Sequence, residues 1–203
     1  MNLIPTDLYE KNREKFTAYL ELLIKWNKKI NLTSIKEPEK IVELHFLDSL
    51  AVVPFLVSRE TVLDIGSGGG FPGIPIKIVS PSLHVTLIDA VKKKCDFMKT
   101  VVRELGLSDI TVVHKNLSEA EPIGKFNAIV SRATFKMERL LSLAALNLKL
   151  GGILLAFKGL DTEQELRQAQ SAFDRHHFAP VKEEIYELPL SRRKRKILIT
   201  GLI

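Results

Sequence analysis

The residues that first point to chemistry are glycines. Asp64-Ile-Gly66-Ser-Gly68-Gly69-Gly70-Phe71-Pro72-Gly73 follows a short apolar run and precedes a helical pattern. Glycine enters positive-φ backbone without steric penalty and lets a ligand approach the chain closely. N–H groups at the start of a helix attract phosphate or carboxylate. The dinucleotide spacing GxGxxG fits Gly68, Gly70 and Gly73, and the tighter GxGxG spacing fits Gly66, Gly68 and Gly70. Taken alone, the glycines would equally suit an ordinary tight turn. Asp89 supplies context, 25 residues after Asp64 at the end of the next apolar run. A carboxylate there can accept two hydrogen bonds from a ribose diol; capping the helix that begins near Val91 is the competing role. Lys92, Lys93 and Lys94 follow closely, which leaves a phosphorylated ribose open.

These residues need elements to hold them. Phe16, Tyr19, Leu20, Leu23, Trp26 and Ile30 recur at spacings of three and four, predicting one helix over 7–30 with Trp26 in the core. A second helical stretch covers 37–57, with Pro38 in its first turn. Strands are expected at 61–65, 84–88, 110–114, 126–131, 153–157, 181–188 and 196–203, and helices at 72–79, 92–105, 137–148 and 162–176. Gly151 and Gly152 read as the end of the third of these helices. Strands alternating with helices predict an α/β, mainly parallel sheet with helices on both faces. Residues 1–58 would form a helical cap and 59–203 the core, together one compact unit.

Composition narrows the classes. The chain has 203 residues, 45% of them hydrophobic and 27% charged, which excludes a mainly disordered state. No apolar run approaches the roughly 20 residues of a spanning helix, so no membrane partner is expected. The N-terminus lacks a basic-then-apolar signal pattern, and the single cysteine, Cys95, allows no intrachain disulfide and argues against a cysteine-built zinc site. A cytoplasmic address and a monomer are the expectations. The net charge of +6 and pI near 9.4 favour an anionic partner. Basic residues cluster at Lys25, Lys28 and Lys29, at Lys92–Lys94, and at Arg192-Arg193-Lys194-Arg195-Lys196. The last cluster fits contact with an RNA backbone through Arg192 and Arg193, or a solvated hairpin tip.

Asp64-x-Gly-x-Gly-x-Gly followed by Asp89 resembles the first two motifs of class I S-adenosylmethionine-dependent methyltransferases. The combination of Trp26-Asn-Lys-Lys-Ile-Asn-Leu-Thr-Ser-Ile35, His45-Phe-Leu-Asp-Ser-Leu50, Asp64 to Pro75 and Val130-Ser-Arg-Ala133 resembles, more closely, the bacterial 16S rRNA guanine-N7 methyltransferases, the glucose-inhibited division protein B family. The resemblance runs from about residue 20 to the C-terminus. It implies a Rossmann-like methyltransferase fold with a seven-stranded sheet, S-adenosylmethionine as cofactor, and 16S ribosomal RNA or the small ribosomal subunit as partner. It places Gly66 and Phe71 against the cofactor, with Gly68 and Gly70 forming the loop. Asp89 takes the ribose, Leu117 and Ser118 flank the adenine, and Arg132 faces cofactor and substrate. Ser118 departs from the acidic residue the family often carries there.

Guanine N7 has a free lone pair and no proton, so its methylation needs no general base, and no catalytic acid or base is assigned. Arg132 suits a guanine, a phosphate or the cofactor carboxylate, or a structural ion pair. Lys158, after the fifth strand, suits a phosphate or is a solvated lysine. His45 and Asp48, at spacing i, i+3, read as a polar clasp between cap and loop or as a buried histidine satisfied by its neighbour. Two other functions stay open at this level. An NAD(P)-dependent oxidoreductase shares the glycine turn, but the chain has no Tyr-x-x-x-Lys. A non-catalytic RNA-binding protein shares the charge, but the loop residues and Asp89 are intact.

Overall fold

Thr61-Val-Leu-Asp-Ile is nearly all apolar because helices cover both sides of it. In the computed structural model, which describes residues 3–117, 121–132 and 135–203, this run is β1 (Thr61–Ile65), an inner strand of a seven-stranded sheet. β1 pairs in parallel with β2 (His84–Asp89) and β4 (Phe126–Arg132). β3 (Ile110–His114) adds to β2, and β5 (Leu148–Lys158) to β4, also in parallel. β6 (Lys182–Glu187) and β7 (Lys194–Gly201) close the sheet as an antiparallel hairpin, giving the order β3-β2-β1-β4-β5-β7-β6.

Period-two alternation divides the core. Val62, Val85, Val130 and Leu155 face one cluster, shared with α5 (Gly73–Val79), α6 (Lys92–Glu104) and the N-terminal helices. Leu63, Ile65, Ile129 and Leu154 face the other, covered by α7 (Met137–Asn147) and α8 (Glu163–His176). Fold class, strands and core helices therefore follow the sequence expectation. Among the described residues no helix is long and apolar enough to cross a membrane.

Four local expectations are corrected. The helix expected over 7–30 is two, α1 (Thr6–Lys11) and α2 (Arg13–Asn27). They break at Asn12, whose side-chain amide donates to the Leu8 carbonyl at 2.9 Å. The stretch over 37–57 is α3 (Pro38–Ile41), a π-helical turn over Val42–Leu47, α4 (Asp48–Leu50) and a 3₁₀ turn over Val53–Phe55. Trp26 is half-buried at the core's edge rather than inside it. Gly151 and Gly152 lie within β5 instead of ending α7. There the β4–β5 register shifts, Gly151 has φ +72°, and a β-carbon on Gly152 would stand 2.7 Å from the Lys149 carbonyl. The pair marks a strand irregularity.

Candidate functional site

The loop after β1 is folded by its own backbone and by Asp89. Gly66 and Ser67 donate N–H bonds to the Ile88 carbonyl at 2.9 and 3.1 Å, and Gly70 and Phe71 both donate to Ser67 O at 2.8 Å. Gly66, Gly68 and Gly70 take φ of +74°, +58° and +89°, which explains the alternating glycines. Asp89 Oδ2 accepts the Gly68 N–H at 2.9 Å, while Oδ1 accepts the Val91 N–H at 2.8 Å. The capping role is thus present, and the same carboxylate ties the end of β2 to the loop. Asp64 is fully buried: its Oδ2 accepts the Gly73 N–H at 2.9 Å, and its Oδ1 has no partner among the described residues. Burial pushes the Asp64 carboxyl up to about 7, against the pull of the Gly73 N–H, the Ser67 hydroxyl and Arg132.

The cap reaches the loop through aromatic rings. Tyr19 of α2 is buried and its hydroxyl donates to the Gly69 carbonyl. Its ring stacks on Phe71 at 5.5 Å, and His45 stacks on the same Phe71 at 4.6 Å with the planes 16° apart. Tyr19→Phe keeps the ring but orphans a buried carbonyl, so it is expected to lower stability by about 2 kcal/mol. Cofactor affinity should fall with it. Chemical denaturation with and without cofactor reads both effects, and an unchanged affinity would separate Tyr19 from the loop.

His45 bridges cap and sheet. Its Nδ1 lies 3.1 Å from Arg132 Nη2, and its Nε2 2.7 Å from Thr33 Oγ1. A guanidinium only donates, so Nδ1 accepts, and Nε2 carries the proton and gives it to Thr33. Burial, then the charge of Arg132, lowers the His45 pKa to about 3, so the ring is neutral at physiological pH. Arg132 Nη1 donates to the Leu44 carbonyl at 3.1 Å and reaches Asp48 Oδ2 at 3.4 Å; its guanidinium lies over Phe71 at 5.1 Å. Asp48 also accepts the Tyr186 hydroxyl at 2.7 Å and faces Arg195 Nε at 3.7 Å. The clasp reading of His45 and Asp48 describes this arrangement, although the two meet through Arg132.

A cavity of about 460 Å³ opens between these groups. Gly66, Ser67, Gly68, Gly69 and Phe71 form one wall; His45, Asp48, Arg132, Lys158, Tyr186 and Arg195 form much of the rest. Of the expected cofactor residues, Gly70 and Asp89 hold the loop from behind. Leu117 is buried in the α7 side of the core. Ser118 lies outside the described residues.

The expected RNA contacts divide. Lys158 is no solvated lysine: its ammonium sits on Glu165 at 2.6 Å and the Phe135 carbonyl at 3.0 Å. Arg192, Arg193 and Lys194 are exposed around the β6–β7 turn. Arg195 turns inward to Asp48, and Lys196 is buried on Glu183 at 2.8 Å and Thr162 at 3.1 Å. The basic run is therefore not one surface. Sequence reading missed Tyr19, Thr33, Glu43, Tyr186 and Arg195. Buried Glu43 accepts the Leu190 and Ser191 N–H groups at 2.7 and 2.6 Å, fixing the hairpin turn to the π-helical segment.

The profile of the GidB family, described as rRNA small subunit methyltransferase G, matches residues 12–192. The chain belongs to this family. The chain is 42% identical over 166 residues to the ribosomal RNA small subunit methyltransferase G of Desulfitobacterium hafniense, covering 78% of this chain and 68% of that protein. It is 39% identical over 193 residues to the protein of the same name from Streptococcus thermophilus, covering 90% and 80%. Among solved structures, an S-adenosylmethionine-dependent O-methyltransferase from Thermotoga maritima superposes with TM-score 0.61 at 16% identity, covering 89% of this chain and 71% of that one. A methyltransferase from Pyrococcus furiosus also gives TM-score 0.61, at 18% identity and 74% and 78% coverage. These two likenesses bear on the fold alone, an α/β Rossmann-like sheet with helices on both faces. GidB membership removes the oxidoreductase alternative.

Proposed function

We propose that the cavity between the glycine loop and the cap holds S-adenosylmethionine, and that the methyl group passes from there to N7 of a guanine in 16S ribosomal RNA. Family membership makes the chain an S-adenosylmethionine-dependent rRNA methyltransferase; the site residues, target atom and partner surface are our reading. The observation that carries it is a buried carboxylate oxygen on Asp64 with no partner among the described residues, beside a loop in which Gly68 leaves open the space a side chain would fill. S-adenosylmethionine carries an ammonium and a sulfonium against one carboxylate, and a net cation near Asp64 would compensate the ionised form of that buried acid.

When bound, S-adenosylmethionine supplies an activated methyl. The rest falls to the protein. The backbone of Gly66 and Gly68 allows close approach, and the spare lone pairs of Asp89 suit the ribose diol. Leu117 and Ser118 are assigned to the adenine side. Phe71 packs against the Tyr19 and His45 rings and lies 5.1 Å from the Arg132 guanidinium. Arg132, fixed by Leu44, Asp48 and His45, orients the guanine or the cofactor carboxylate. Lys158 serves the same wall through its partner Glu165. Guanine N7 gives up no proton, so the task is alignment, which can contribute roughly 7 kcal/mol or more. The neutral His45, with both ring nitrogens engaged, suits that positioning role. Residues 1–58 act as the cap and Arg192 and Arg193 as phosphate contacts. The protein works as a monomer in the cytoplasm, on free or assembled small-subunit RNA.

Asp64 predicts a pH dependence. With its carboxyl near 7, much of it is protonated at pH 6 in the free protein. A cationic ligand favours the ionised form, so binding expels the proton and cofactor affinity rises as pH climbs through about 7. Asp64→Asn should flatten that rise. Calorimetry in buffers of different ionisation enthalpy counts the proton; a flat profile in the parent protein would contradict the assignment.

The site assignment is tested by ligand-induced thermal shift. S-adenosylmethionine at 100 times its Kd should add about 2.7 kcal/mol, and NADH nothing. Replacing Arg192 and Arg193 by Ala should weaken RNA binding and reduce the salt slope by about 1.4 for two lost single-strand phosphate contacts. Cofactor affinity should be unaffected. An unchanged slope would remove the hairpin from the RNA surface.

A further inference from the structure

Two lysine clusters far apart in sequence meet at a groove outside the site just described. α2 packs on α6 through Trp26 and the buried Phe97, with ring centroids 5.6 Å apart. That contact brings Lys25, Lys29 and Lys93 around one concavity of about 480 Å³, with Trp26 and Ile30 in its wall. Lys25, Lys28, Lys29 and Lys93 are exposed, and none of them forms an ion pair among the described residues. The one carboxylate in the groove, Asp96, is already held by Lys92 at 3.2 Å. Convergent lysines repel one another unless a polyanion lies among them. A half-buried indole between them adds a platform on which a base can stack, the combination that binds single strands without reading sequence.

The groove also lies near the methyl-transfer cavity. Tyr19, on the same helix, holds the Gly69 carbonyl of the glycine loop. Seven residues separate Tyr19 from Trp26, about 10 Å of helix. We infer that the α2–α6 groove is a second RNA-binding site, which takes a single-stranded segment flanking the target guanine, its phosphates on Lys25, Lys29 and Lys93 and one base on Trp26. The inference rests on the reading of the chain as an rRNA methyltransferase. It supplies the aromatic contact that the hairpin run lacks.

Trp26 is the only tryptophan of the chain, so its fluorescence reports on this groove alone. The full-length protein is titrated with a short fluorescein-labelled oligouridylate for anisotropy, and with the unlabelled strand for tryptophan emission. Quenching should track binding. Combined Lys25→Glu, Lys29→Glu and Lys93→Glu should lower the log–log salt slope by about 2, at roughly 0.7 per phosphate. Trp26→Leu, which keeps an apolar contact with Phe97, should weaken binding about tenfold by anisotropy. S-adenosylmethionine binding, measured on each variant, verifies folding. RNA that saturates the protein without quenching would overturn the proposal, as would an unchanged slope in the triple variant. So would equal quenching by polyglutamate, which would make the groove a general polyanion or protein site. Loss of cofactor binding or methyl transfer in the parent protein, with quenching intact, would instead overturn the function.

Discussion

Gly73→Ala is expected to lower stability by about 3 kcal/mol and to abolish cofactor binding. A β-carbon at Gly73 would stand 2.2 Å from Leu87 Cδ2, 2.8 Å from Asp64 Oδ2 and 3.1 Å from Asp64 Cβ. Leu87 and Asp64 are both fully buried in neighbouring strands, so neither can withdraw without moving the sheet. The same shift would pull the Gly73 N–H from Asp64 and cost the carboxylate its backbone donor. Gly68→Ala makes the contrast. Its β-carbon meets nothing closer than Gly66 O at 3.9 Å, so the penalty there is the φ of +58° alone, about 1–2 kcal/mol. Urea denaturation of the two variants should rank Gly73→Ala well below Gly68→Ala. Equal stability would mean that the strand–loop–helix junction yields more than its packing implies.

Asp48→Asn is expected to be the most damaging single change at the clasp. Asp48 is buried and faces Arg132, Arg195 and Tyr186 together. An asparagine can still accept the Tyr186 hydroxyl, but it leaves the part-buried Arg132 guanidinium short of its counter-charge. Burial already pulls the Arg132 pKa down, with Asp48 the main group holding it up. Removing one partner of a buried pair costs about 3–5 kcal/mol. Misplacing Arg132 by about 1 Å should lower methyl transfer about 100-fold. The double variant Asp48→Asn, Arg132→Met removes both charges and should recover much of the stability but none of the activity. Stability and activity recovering together would make the pair structural only.

The strands, their order of succession and the glycine loop were legible because period-two runs, glycine spacing and helix-length intervals agree with one another. Asp89 was legible as a carboxylate at the end of β2 and as a cap near Val91, but its bond to Gly68 was not, since no spacing rule reports which distant N–H a carboxylate meets. The π-helical turn over Val42–Leu47 left no trace in the residue pattern, and it is what sets Glu43 under the hairpin turn and His45 against Phe71. Tyr19 was hidden in an apolar stripe whose ring belongs to the core while its hydroxyl serves the loop. Five basic residues in succession read as one surface, yet the packing of β7 turns Arg195 and Lys196 away from Arg192 and Arg193. The solvated reading of Lys158 failed because Glu165 comes from α8, seven residues later and across a helix boundary.

The central claim is that this cavity delivers a methyl group to guanine N7 of small-subunit RNA. The direct measurement incubates the purified protein with methyl-labelled S-adenosylmethionine and small ribosomal subunits or their RNA lacking the modification. The RNA is then digested to nucleosides and separated by mass and retention. Label in 7-methylguanosine, lost in Gly73→Ala and reduced in Asp48→Asn, is the predicted result. Label in any other nucleoside, or none at saturating cofactor with either form of the RNA, would contradict it.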